Sequence, residues 1–236
     1  MVNNIDKSFT KERKKILFLH GYLSRGSSFY NQIKYFERDF DVYAPDLKGF
    51  GDNVGMQFPY SLDDYVEEIK EYCCKNDIVS PHVIAHSFGA RIAVKAVATE
   101  KLEIDRLVLT GAAGLKPKNT VKKTAKKVCF SILKKFIPKQ KLAFFYSKDY
   151  LALDPIMKES FIKIVNENLD GYLSAVKNKT LLIFGDRDRE TPLYMAKRYV
   201  CGLQNNRLII LKGAGHFAFI DKPNKFNVEV KEFLLS

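Results

Sequence analysis

The sequence predicts an α/β domain with a mostly parallel sheet of six or seven strands, flanking helices and one helical insertion. Short, uniformly apolar runs recur along the 236 residues, as is typical of parallel strands buried on both faces. Segments with helical spacing separate these runs, and this alternation indicates a parallel sheet covered by helices. Apolar residues make up 46% and charged residues 28%, the composition of a folded globular protein.

Six runs are predicted to be strands because they are short, apolar and rich in branched or aromatic side chains. Four segments between or after them are predicted to be helices, and the first opens with a capping box, Ser61-Leu-Asp-Asp64. The predicted strands are Lys15–Leu19, Asp41–Ala44, His82–Ala85, Arg106–Thr110, Thr180–Phe184 and Arg207–Leu211. The predicted helices are Ser61–Tyr72, Phe88–Thr99, Pro192–Val200 and Lys225–Leu235.

The alternation stops between residues 114 and 177, where the sequence has no convincing strand. Apolar side chains recur at helical spacing from Val121 to Phe136 with lysines on the opposite face, and Pro138 ends the pattern. Further helical stretches are expected at Gln140–Tyr146 and Pro155–Asn168. We therefore expect a core domain of residues 1–113 and 178–236 and an inserted helical cap, or lid, of residues 114–177.

Most of the net charge of +12 comes from this insertion. Between Leu115 and Lys148 there are eleven lysines and no acidic residue, which leaves about +1 for the rest of the chain. A charge confined to one segment does not indicate a nucleic-acid-binding fold, so no nucleic acid partner is expected. A solvated lid face is the favoured interpretation of the lysines, and contact with an anionic membrane surface is the alternative.

The sequence carries no signal for a membrane-spanning segment, an export route or a cofactor. No apolar run approaches the ~18 residues that cross a bilayer, and residues 1–15 lack the apolar core of a signal peptide. The cysteines have no CxxC spacing, so reduced thiols are expected at Cys73, Cys74, Cys129 and Cys201. Neither a metal-ligand motif nor a phosphate-binding glycine loop is present. We expect a cytoplasmic protein without a cofactor or metal, of undetermined oligomeric state.

Ala85-His-Ser-Phe-Gly89 follows a predicted strand and precedes a predicted helix, which is the context of a nucleophile elbow. Such a tight turn lifts a serine hydroxyl above the sheet and requires small flanking residues, which Ala85 and Gly89 supply. Ser87 is therefore the candidate nucleophile. The alternative is an ordinary strand–helix turn in which the serine caps the helix.

A serine nucleophile needs a base, and the chain has four histidines. His216 lies in a glycine-containing loop after the last predicted strand, at the sheet edge where open α/β sheets place their sites, so it is the candidate base. His20 is expected to be structural, and His82 to lie in the packing or at the surface. The side chain of His86 is expected to point away from Ser87, because the two residues are neighbours at the end of a strand.

The base in turn needs a carboxylate to orient it. The loop after the fifth predicted strand offers Asp186, Asp188 and Glu190. Asp186 comes directly off the strand and is expected to shape the loop, so Asp188 is the favoured partner. The backbone N–H groups of Tyr22, which follows a glycine after the first strand, and of Phe88 are the expected oxyanion hole.

Together, these motifs resemble the α/β-hydrolase superfamily over about residues 15–235. In that family a G-x-x-D-x-x-x-P loop carries the acid, which supports Asp188, and G-x-G-H carries the base; Asp46–Gly51 is similar to its D-x-x-G-x-G turn beside the pocket. The chain departs from the family at Ala85, where the first elbow glycine is replaced, and in its short N-terminus. The resemblance implies the α/β-hydrolase fold with a reduced or absent leading hairpin.

The leading hypothesis is a serine hydrolase that cleaves a small carboxylic ester or related acyl compound through an acyl-enzyme. Arg91, four residues after Ser87, is similar to an arginine of the menaquinone-pathway synthases of this superfamily, although those enzymes have Tyr in place of His86. That similarity implies C–C lyase or hydrolase chemistry on an anionic substrate; otherwise Arg91 binds a carboxylate or helix carbonyls. A non-catalytic binding or membrane-surface protein is the third hypothesis. The expected partner is a small acyl substrate.

Overall fold

The computed structural model describes residues 13–116 and 153–236. These residues form a six-stranded sheet in the order β2–β1–β3–β4–β5–β6, and each pair of neighbouring strands is parallel. The strands are β1 Lys15–Leu19, β2 Asp41–Tyr43, β3 His82–His86, β4 Leu107–Thr110, β5 Thr180–Gly185 and β6 Asn206–Leu211. The predicted fold class and all six predicted strands are therefore confirmed.

Helices cover both faces of the sheet. They are α1 Tyr30–Phe36, α2 Leu62–Lys75, α3 Phe88–Ala98, α4 Pro155–Asn166, α5 Leu193–Gly202, α6 Ala218–Asp221 and α7 Pro223–Leu235, with 3-10 turns at Gly26–Phe29 and Asp170–Ala175. The capping box at the start of α2 is confirmed, because the Ser61 hydroxyl accepts from the Asp64 N–H and the Asp64 carboxylate accepts from the Ser61 N–H. In the described ranges, none of the helices is long and apolar enough to span a bilayer.

Side chains that alternate along the strands divide the core into two clusters. Leu17 and Leu19 of β1 face a cluster built with α2, α3 and α5, whereas Ile16 and Phe18 face a cluster built with α1 and α7. All four side chains are completely buried. The strands thus place their carboxyl ends along one edge of a rigid, two-sided core.

The second part of the predicted cap packs directly on this core. Leu169, Leu173 and Val176 belong to the same buried cluster as β1, and the Leu169 N–H donates to the Gly114 carbonyl at 3.0 Å. Helix α4 confirms the helix expected at Pro155–Asn168, whereas the helices expected between residues 121 and 146 lie outside the described residues. The boundary between cap and core remains a prediction.

Candidate active site

The site lies where the order of the strands reverses. Strand β1 pairs with β2 on one side and with β3 on the other, and crossovers on the two sides run in opposite directions along the sheet. Parallel sheets open a crevice at such a switch point, beyond the carboxyl ends of the strands. Tyr22 follows β1 and Ser87 follows β3, so both lie at this crevice.

Ser87 occupies a strained turn between β3 and α3. Its backbone angles are φ 50° and ψ −103°, a conformation that a residue with a side chain rarely adopts. A Cβ on Gly89 would lie 2.2 Å from the Leu19 carbonyl oxygen, so only glycine fits there. The Ser87 side chain makes no capping hydrogen bond to α3, which argues against the interpretation of this serine as a simple helix cap.

His216 and Asp188 are hydrogen-bonded to each other, with 2.9 Å between Nδ1 and Oδ2. Asp188 is 6% exposed and also accepts from the Glu190 N–H at 2.8 Å, the Thr191 N–H at 2.9 Å and the Thr191 hydroxyl at 2.7 Å. Burial alone would raise the pKa of Asp188, but the hydrogen bonds from His216 and Thr191 outweigh it and lower the pKa to about 2. Asp188 is therefore a fixed anion that orients the imidazole.

Asp186 has a different role from Asp188. Its carboxylate is exposed and accepts from the Gly213 N–H at 2.7 Å, so it connects the loop after β5 to the loop that carries His216. Thr191 was not singled out in the sequence, yet its hydroxyl contacts Asp188 and lies 3.4 Å from His216 Nδ1. The threonine before the proline of the G-x-x-D-x-x-x-P loop was the available signal for it.

The remaining histidines are buried away from solvent. His20 accepts from the Leu47 N–H through Nε2 at 2.9 Å, which fits the expected structural role. His82 lies at the opposite end of β3, and neither of its ring nitrogens has a hydrogen-bond partner. The sequence did not reveal the role of His86, whose imidazole packs against that of His216 with ring centroids 4.7 Å apart.

Tyr22 joins the turn after β1 to helix α4. Its hydroxyl donates to the Met157 carbonyl at 3.2 Å, and its ring contacts Phe88 and Phe161 at centroid distances of 5.7 and 5.1 Å. The preceding Gly21 lies so close to the elbow that a Cβ there would be 2.8 Å from His86 Nδ1 and 3.5 Å from the Ser87 Cβ. The turn that carries Tyr22 thus passes beside the candidate nucleophile, and Tyr22 and Phe88 line the same cavity as Ser87. The oxyanion hole expected of their N–H groups remains a prediction.

A cavity of about 620 Å³ lies above Ser87 and His216. Its walls are largely apolar and include Phe88 from the core and Phe161 and Ile164 from α4. Arg91 also reaches this wall, but its Nη1 donates to the carbonyls of Ile164 and Glu167 at 2.9 and 3.0 Å. Arg91 therefore caps the carboxyl end of α4, the arrangement expected of an arginine that binds helix carbonyls.

Among residues 13–116 and 153–236, no three His, Cys, Asp or Glu side chains lie close enough together to hold a metal ion. The chemistry available to the described site is that of a hydroxyl, an imidazole and a carboxylate at the edge of an apolar cavity.

Comparison with known proteins shows the fold family of the chain. The family model for the alpha/beta hydrolase fold matches residues 14–144. A Mycoplasma pneumoniae protein named as a candidate esterase/lipase is 27% identical over 95% of this chain and 90% of its own. An esterase from Exiguobacterium antarcticum has the same fold, with a TM-score of 0.75, 20% identity and coverage of 95% and 93%. The meta-cleavage product hydrolase CumD of Pseudomonas fluorescens also shares it, with a TM-score of 0.70, 22% identity and coverage of 94% and 91%. The chain belongs to the α/β-hydrolase fold family.

Proposed function

We propose that the protein is a serine hydrolase that cleaves carboxylic esters with an apolar acyl group through an acyl-enzyme. The observation that carries the proposal is that His216, hydrogen-bonded to Asp188, lines the same cavity as Ser87. Folding alone does not require a strained serine, an oriented imidazole and a buried carboxylate at three separate loop ends. The names of the related esterases are in keeping with this chemistry.

In the proposed reaction, Ser87 Oγ attacks the ester carbonyl carbon while His216 Nε2 accepts the hydroxyl proton. The N–H groups of Tyr22 and Phe88 donate to the oxyanion of the tetrahedral intermediate. Its collapse breaks the ester C–O bond, and the leaving alcohol takes the proton from His216. Water then attacks the acyl-enzyme with His216 as base, which releases the carboxylic acid and restores Ser87.

Asp188 contributes electrostatically in this scheme. Its depressed pKa keeps it ionised throughout the reaction, and its hydrogen bond to Nδ1 leaves Nε2 as the nitrogen that accepts the proton. The negative charge stabilises the imidazolium that forms when Ser87 attacks. The apolar walls of the cavity favour an acyl group with little polarity.

Fluorophosphonate labelling and turnover of p-nitrophenyl esters of increasing chain length test the proposal. Wild type, Ser87→Ala and the control Ser27→Ala, which changes an exposed serine away from this cavity, are compared. We expect labelling and turnover in wild type and the control and neither in Ser87→Ala. A folded wild type that does not react with the probe would refute the proposal and favour a non-catalytic binding protein.

A second candidate is C–C bond cleavage of an anionic substrate on the same scaffold. It rests on Arg91, a cation in the cavity wall. The contacts of Arg91 with two helix carbonyls weaken this candidate, because they already occupy one of its terminal nitrogens. Probe labelling without ester turnover would favour it. The lysines proposed for a membrane surface lie mostly outside the described residues, so that alternative, like the cytoplasmic location, remains a prediction.

A further inference from the structure

His86 is next to Ser87 in the chain and in contact with His216, the two groups on which the proposed reaction depends. It precedes Ser87 in the chain, it is 1% exposed, and its ring lies 4.7 Å from the ring of His216 between centroids. Its Nε2 is 3.1 Å from the carbonyl oxygen of His216. His86, next to the proposed nucleophile, is therefore hydrogen-bonded to the backbone of His216, the proposed base.

The direction of this hydrogen bond follows from the chemistry of the acceptor. A carbonyl oxygen can only accept, so Nε2 of His86 carries the proton and donates it. Burial, together with the nearby His216, lowers the pKa of His86 to about 3, so its imidazole is neutral at physiological pH. A neutral donor can stand beside His216 without repelling the positive charge that His216 gains in the reaction.

Other hydrogen bonds hold the loop on both sides of His216, since the carbonyl of Phe217, the next residue, accepts from two N–H groups of α6 at 2.8 and 3.0 Å. The Gly213 N–H donates to Asp186 and the Gly215 N–H donates to Asp221, both at 2.7 Å. Asp188 fixes the rotation of the His216 ring through Nδ1, but its hydrogen bonds within the described part of the chain do not include one to the His216 backbone. The bond from His86 acts on the His216 peptide itself and connects it to the elbow.

We propose that His86 is a positioning residue that holds the His216 backbone, and with it the imidazole, at a fixed place relative to Ser87. This inference rests on the proposed function. Because this hydrogen bond comes from the residue next to Ser87, it couples the position of the proposed base to that of the elbow. Its loss would leave the His216 ring oriented by Asp188 and the loop held at neighbouring residues, but would remove the direct connection between the His216 backbone and the elbow. Small displacements of reacting groups lower the rate of the chemical step.

The test compares His86→Leu, which removes the donor, with His86→Gln, whose side-chain amide can place an N–H near the position of Nε2. His82→Leu is the matched control. His82 lies on the same strand four residues earlier and is also a buried histidine, but it is at the far end of β3 from the cavity. His86→Asn, with an amide too short to reach, replaces His86→Leu should the latter not fold.

The readout is kcat per serine that fluorophosphonate titrates, measured with KM on one p-nitrophenyl ester. A folding defect reduces the number of titratable serines, whereas misplacement of the base reduces turnover at each one. We expect kcat per site to fall about tenfold in His86→Leu with KM nearly unchanged, and to recover to within about threefold in His86→Gln. His82→Leu should match wild type per site.

Three results would overturn the inference: unchanged turnover per site in His86→Leu, the same loss in His82→Leu, or a His86→Gln variant no better than the leucine variant. A wild type that neither labels nor turns over would instead refute the proposed function. The positioning role can fail only where the wild type reacts with the probe and hydrolyses the ester. The two failures are therefore distinguishable.

Discussion

Lys95 of α3 holds its ammonium group almost out of water, with the side chain only 5% exposed. Two carboxylates from distant parts of the chain neutralise it. Asp63, in the first turn of α2, lies 2.7 Å away and is 74% exposed, and Glu167, just after α4, lies 2.5 Å away and is 25% exposed. The ammonium is therefore much less accessible to solvent than either carboxylate that neutralises it.

Because of this difference in exposure, the loss in the free energy of unfolding should depend on whether the lysine or the two carboxylates are removed, although the same two ion pairs are lost in both cases. In Lys95→Met the apolar stem is kept and both carboxylates can be hydrated, so we expect a loss of about 1–2 kcal/mol in the free energy of unfolding. In Asp63→Ala/Glu167→Ala the ammonium loses both partners in a buried position, and the loss should reach about 3–5 kcal/mol. Each alanine variant alone leaves one partner in place and should cost about 1 kcal/mol or less.

Urea unfolding of the four variants and wild type at pH 7 measures these values, with equal m-values as the condition for comparison. The double variant should exceed the sum of the single variants by about 1–3 kcal/mol. Additivity to within about 0.5 kcal/mol would refute the reasoning. So would a Lys95→Met variant less stable than the double alanine variant.

Three further predictions concern the candidate site and the buried histidines. Asp188→Asn should lower kcat by roughly 10³–10⁴-fold, because the carboxylate no longer orients and stabilises the base, whereas Asp186→Asn should lower it far less; steady-state kinetics of both variants decides this. Ser87→Gly should raise the free energy of unfolding by about 1 kcal/mol while abolishing probe labelling, because glycine adopts φ 50° without strain; unchanged or lower stability in urea would contradict it. Burial lowers the pKa of His82 to about 4, so the unfolded chain binds more protons between pH 6.5 and 4 and stability should fall as the pH drops through that window. Acid titrations of unfolding free energy should show a shallower fall in His82→Leu, and parallel curves would exclude His82 as a cause.

The four central strands β1, β3, β4 and β5 could be predicted from the sequence because each is a short run of side chains that the sheet buries on both faces. The edge strands β2 and β6 are only partly buried, and their branched and aromatic residues predicted them. Helix α1, Tyr30–Phe36, was not predicted, and its composition explains why. Only Gln32 and Phe36 of its seven residues are buried, and Gln32 is buried because its amide donates to the Phe219 carbonyl and to Asn227. A polar core residue in a two-turn helix leaves no apolar periodicity to detect.

The candidate site was predictable as far as it depends on loops that follow strands. Ser87, Asp188 and His216 converge because the carboxyl ends of parallel strands share one edge. The contact of His86 with His216 was not predictable, because the positive φ of Ser87 ends the alternation of side chains on which the expectation for His86 rested. The carbonyls that Arg91 binds lie 73 and 76 residues further along the chain, beyond the reach of any local pattern.

The backbone of Ser87 has a consequence for how such a chain changes over time. A glycine at this position would relax the turn, so the substitution that removes the proposed nucleophile is also one that the fold tolerates. A duplicated protein no longer under selection for activity can thus lose its catalytic activity while it keeps its fold. The fold alone therefore does not show that such a protein is active. Activity in proteins with this sheet has to be judged from the side chain at the elbow.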